Sequence, residues 1–107
     1  MSTSAILGAV SLTAATAANV FTAPRASGEG AMFNVRISNS AASSADVQIS
    51  FSLVSATLDA ARSLIPTTNV PTGEYIELTG LACSTEYLVA ESSVTGVSVI
   101  AIGVETP

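Results

Sequence analysis

The chain has 107 residues, of which only 10% are charged, and a net charge of −5, against roughly 25% charged residues in an average soluble domain. Arg25, Arg36 and Arg62 are the only cations beside eight acids, so the chain cannot neutralise a phosphate backbone and nucleic acid is excluded as the expected partner. With no Lys, no His and a single Cys, zinc sites and most general-base or Schiff-base chemistry are excluded too.

Alternation of period two dominates the sequence. The first strand is expected over Ala5 to Leu12, followed by a short Ala-rich stretch that cannot hold a helix. A second short strand is expected over 19–23, stopped by Pro24, and then a loop over 25–30. Residues 32–38 alternate cleanly, with Phe33, Val35 and Ile37 inward and Asn34, Arg36 and Ser38 outward. Residues 47–53 do the same, with Val47, Ile49, Phe51 and Leu53 on one face. The small polar stretch between these strands reads as a hairpin loop.

A helical turn competes at 55–64, where Ser55 or Thr57 would cap it and Asp59 and Arg62 stand three apart. Pro66 and Pro71 bracket an irregular connector. A strand over 74–79 places Ile76 and Leu78 on one face and Tyr75 and Glu77 on the other, and Gly80 is expected to turn the chain. Strands over 86–92 and 97–104 complete seven or eight, at the spacing of a small antiparallel β-sandwich, immunoglobulin-like or jelly-roll-like. The whole chain, 1–107, reads as one all-β domain, with 1–24 as an N-terminal arm or strand segment.

Strand 97–104 breaks the inward/outward rule. Val97, Val99 and Ala101 form one apolar face, and Ile100, Ile102 and Val104 form another. A strand apolar on both sides is covered twice, here by the N-terminal segment or by another subunit. The low surface charge favours a subunit, because free monomers usually need more charge to stay apart.

Catalytic patterns are missing. No G-x-S-x-G occurs, and Ser and Thr have no His or Lys to activate them. The pairs Glu74/Glu77 and Glu86/Glu91 have odd spacing, so their members face opposite sides of a strand. Tyr75 is expected to be exposed, either against a neighbouring subunit or as a stacking platform. Arg36 is expected to pair with an acid across the sheet or across a subunit boundary, and Cys83 reads as a small buried hydrophobe. No apolar stretch approaches the roughly 20 residues of a membrane span, and no charged leader precedes Ile6. The expectation is a chain that is made in a cytoplasm, stays soluble or is assembled there, and binds neither a cofactor nor a membrane.

Several stretches share a pattern with one group of proteins. Asn34-Val-Arg-Ile-Ser-Asn39, followed by Ala45-Asp-Val-Gln-Ile49, has the form N-V-R-(apolar)-x-N…A-x-V-x-(apolar). Gly73-Glu-Tyr-Ile-Glu-Leu-Thr-Gly80 has the form G-x-x-(apolar)-E-x-T-G. Glu86-Tyr-Leu-Val-Ala-Glu-Ser-Ser93, Gly96-Val-Ser-Val99 with Gly103-Val-Glu105, and Val20-Phe-Thr-Ala-Pro24 complete the set. Together they cover most of the chain, which resembles the small β-sandwich virion proteins of tailed bacteriophages, many from cyanophages. It departs from them at 58–64, where no aromatic residue stands.

The resemblance implies a non-enzymatic structural component of the virion, assembled in the host cytoplasm. The first expectation is a head decoration (cement) protein, a homo-oligomer, with a trimer favoured, bound to the major capsid protein or other virion proteins. A tail, neck or fibre component, with or without host-glycan contact at Tyr75, is the alternative. The expected interface residues are Ile6, Leu7, Val10 and Leu12 of the first strand, Ile100, Ile102 and Val104 of the last, and Arg36 and Tyr75 as polar anchors.

Overall fold

The computed structural model describes residues 5–21, 30–83 and 86–106. The expected end of the second strand at Pro24 and most of the loop after it lie outside the described residues. Eight strands stand among the described residues: β1 (Ala5–Leu12), β2 (Ala18–Phe21), β3 (Gly30–Asn39), β4 (Ala45–Ser52), β5 (Thr68–Val70), β6 (Tyr75–Cys83), β7 (Tyr87–Ser92) and β8 (Val97–Thr106). They form two antiparallel four-stranded sheets, ordered β1-β8-β3-β6 and β2-β7-β4-β5.

Each strand of the first half pairs with its mirror in the second: β1 with β8, β2 with β7, β3 with β6, β4 with β5. The pairings β3·β8 and β4·β7 then close the two sheets. This is a long ribbon rolled into a sandwich, the jelly-roll wiring rather than the immunoglobulin one. Within the 1–24 segment, β1 takes an edge of one sheet and β2 an edge of the other.

The expected hairpin between the third and fourth strands does not form. Both edges of β3 are taken by β6 and β8, and β4 lies in the opposite sheet. Residues 40–44 form an arch across the sandwich instead. Asn39, 2% exposed, holds the arch. Its Nδ2 donates to the carbonyls of Ser43 and Val70, both at 2.9 Å, and its Oδ1 accepts from Ala41 N at 2.8 Å. A buried amide that meets three backbone groups fixes a path that alternation alone cannot specify.

The core lies between the sheets. Phe33, Val35 and Ile37 of β3 alternate inward, as expected, and join Val47, Ile49, Leu88, Val97, Val99 and Ala101. Phe33 and Phe51 meet edge to face across the two sheets, with ring centroids 6.1 Å apart. Gly103 is required by a close approach of β8 to β3, since a Cβ there would lie 2.0 Å from the Met32 carbonyl oxygen.

Gly80 does not end its strand. With φ at +71°, it forms a bulge inside β6 at the register break opposite Asn34, whose Oδ1 accepts from Gly80 N at 3.1 Å. A glycine absorbs the positive φ without a Cβ clash, so pairing resumes beyond it.

The β4–β5 connection straps the outer face of the second sheet. Asn19 on β2 donates to Ser55 Oγ and accepts from Ala56 N, while Ser50 Oγ on β4 accepts from Asp59 N. Val89, paired between Asn19 and Ser50, is fully buried beneath that row. The helical expectation here reduces to one 3₁₀ turn, Ala60–Arg62, capped by Asp59 rather than by Ser55 or Thr57. Thr68–Val70, expected to be irregular, pairs with β4 as a short edge strand.

Candidate interaction surface

The first sheet has no such strap among the described residues. Directly paired residues share a face, so the registers lay out its outer surface in rows. Val104, Met32 and Ala82 form one row, and Ile6, Ile102 and Asn34 the next. Ala9, Ile100, Arg36 and Glu77 follow, then Ser11, Ser98, Ser38 and Tyr75. One end of this face is apolar and the other polar. Ile6 is 63% exposed, Met32 58% and Ile102 46%; Ile100 and Val104 are half-buried. Adjacent exposed side chains of this size are the informative kind of surface hydrophobicity.

The expected interface residues therefore divide. Ile6, Ile100, Ile102 and Val104 gather on this face. Leu7, Val10 and Leu12 do not join them: Leu12 is 1% exposed within the core, and Leu7 and Val10 pack against it. A bulge at Leu7 shifts the register, which turns Ile6 outward and sends the later apolar residues of β1 inward. The outer face of β8 is not covered by the N-terminal strand, because β1 extends the sheet edgewise instead of lying across it. Met32 belongs to the patch and was not among the expected residues. Its parity with Asn34, Arg36 and Ser38 carried that information.

The polar end is organised by Arg36. Its Nε donates to Glu77 Oε1 at 3.0 Å, and its Nη2 donates to the same oxygen. The hydrogen bond, and then the charge, of Glu77 raises the Arg36 pKa above its ordinary value. The guanidinium carbon also lies 4.7 Å from the centre of the Tyr75 ring, a cation–π contact. Tyr75 is 57% exposed, as expected, but Arg36 occupies one face of its ring and reduces it as a stacking platform. Between the two ends, Asn34, Arg36, Glu77, Ile100 and Ile102 line a shallow depression of about 330 Å³.

Among the described residues, chemistry-bearing groups do not converge elsewhere. No cluster of three or more His, Cys, Asp or Glu that could hold a metal exists among the described residues. Of the carboxylates, Glu77 bonds Arg36, Asp46 accepts from Asn69 Nδ2, and Asp59 bonds Arg62 and Ala61 N. Cys83 is half-buried against the core. No protein-family model matches the chain, and no curated protein matches it.

Proposed function

We propose that the chain is a non-enzymatic structural component of a tailed-phage virion, a decoration protein that binds the head and bridges neighbouring capsid subunits. The observation that carries this reading is the apolar end of the outer face of the first sheet, built from Ile6, Met32, Ile100, Ile102 and Val104. It lies on a sandwich whose other face is strapped by its own chain. The resemblance to small virion β-sandwich proteins supplies the particle, and the jelly roll, a fold used in capsid and lectin domains among others, agrees with it only by analogy. Stabilisation follows from mass action: contacts made only to the assembled head must be broken before it comes apart.

Ile102→Asp tests the surface. Ile102 is 46% exposed, so an Asp there stays solvated in the free chain and the fold tolerates it. Against a partner, the charge is buried without a counter-ion and the remaining burial of Ile102 is lost, together worth about 2 kcal/mol or more. Particle association is expected to fall more than tenfold in a co-sedimentation assay with purified heads, with the melting midpoint of the free chain unchanged. Undiminished association would remove this face from the interface.

A further inference from the structure

We propose that the outer edge of β1 pairs with the same edge of a second copy of this chain, joining two first sheets into one eight-stranded antiparallel sheet. The four sheet edges are unequal. β5 is three residues long and lies between Pro66 and Pro71. β2 is four residues long, breaks register near Val20, and is tied to the strap through Asn19. β6 carries the Gly80 bulge and the Arg36-bound Glu77. Short strands, prolines, bulges and charges are the devices that keep an edge from recruiting another strand.

β1 carries almost none of them. Its one bulge is at Leu7, near its start, which leaves Gly8 to Leu12 in regular pairing with β8. The strand contains no charge and no proline, and no described residue pairs with its outer edge.

Charge placement selects a second copy as the occupant. β1 contains no ionisable side chain, and β8 carries one, Glu105, beyond the residues that pair with β1. The charges of the first sheet's outer face, Arg36 and Glu77, sit on β3 and β6, away from β1, and Asp46, Glu91 and Asp59 belong to the second sheet and its strap. Two chains of net charge −5 thus meet edge to edge with the charges of these elements held back. A two-fold axis normal to the sheet reverses strand direction and keeps both outer faces on one side. The contact closes on itself and stops at two copies, in place of the trimer that the resemblance favours. If the particle-binding reading holds, such a pair grips with two apolar patches at once; the pairing itself does not depend on that reading.

The test uses Ala9, an exposed residue near the middle of β1. With the axis centred on the regular stretch Gly8 to Leu12, the two copies of position 9 lie diagonal to one another. The parent chain, Ala9→Lys, Ala9→Glu, and an equal mixture of the two variants are compared by sedimentation velocity over a concentration series. The parent is expected to form a dimer that tightens with salt as the net charges are screened. Each variant alone should dissociate at least tenfold more readily, and the mixture should restore the dimer, which also shows that both variants fold. A parent that stays monomeric or forms trimers overturns the proposal. So do single variants that dimerise like the parent, or a mixture that fails to pair. Particle binding plays no part in this readout, so its failure is distinguishable from failure of the proposed function.

Discussion

Replacing Asn39 with Ala removes the amide that holds the arch between β3 and β4. The Val70 carbonyl that it satisfies is buried, whereas the Ser43 and Ala41 groups are only part-buried. An orphaned buried carbonyl costs about 1–3 kcal/mol, and a lost bond whose partner can reach water about 0.5–1.5 kcal/mol. The expected destabilisation is about 2–6 kcal/mol, a large part of the roughly 5–15 kcal/mol that stabilises a domain. Urea titration followed by far-UV circular dichroism reads it as a lower midpoint at unchanged slope.

Asn39→Asp sharpens the test. Its carboxylate would face two carbonyls, which raises its folded pKa above the unfolded value of about 3.9. A group raised in this way keeps its stability below the unfolded value and loses it as pH rises through the folded one. The Asp variant should therefore be far less stable than the parent at neutral pH, and the gap should narrow as pH falls through the raised folded pKa and be smallest below about pH 4. A loss below about 1 kcal/mol for Ala, or a gap for Asp that ignores pH, would refute the assignment of Asn39 as the arch's anchor.

Gly103→Ala forces β8 away from β3, because the new Cβ would lie 2.0 Å from the Met32 carbonyl oxygen. A loss of about 3 kcal/mol or more is expected in the same titration, and a neutral result would mean that the two backbones are farther apart. In the strap, Arg62, and then the Ala61 N–H, hold the Asp59 carboxyl below its ordinary 3.8. A depressed carboxyl contributes stability above its unfolded pKa and loses it as pH falls through the folded one. Asp59→Asn should therefore flatten the fall in melting midpoint below about pH 4; an unchanged acid limb would mean that the pair does not act on the strap.

The strands were legible because side-chain parity reports a two-faced sheet directly, as Phe33, Val35 and Ile37 show against Asn34 and Arg36. Pairing was not. Parity is silent about which edge a strand offers, so β3 and β4 looked like a hairpin, and only the tertiary bonds of Asn39 route the chain to the other sheet. The strap hid for a similar reason. Asn19, Ser50 and Asp59 read as ordinary polar residues until folding brings them over Val89. On the candidate surface, Ile100, Ile102 and Val104 stood out as a second apolar face, and Arg36 found an acid across the sheet. The faces of the first strand were hidden because one bulge at Leu7 changes which of its residues look outward.

The central claim, a decoration role on a phage head, is tested most directly by copy number. Quantitative mass spectrometry of purified particles produced from the chain's source genome would be normalised to the major capsid protein. The expected copy number is comparable with that of the capsid protein. A handful of copies per particle would contradict decoration and favour a tail, neck or fibre position, and complete absence from the particle would contradict the virion reading itself.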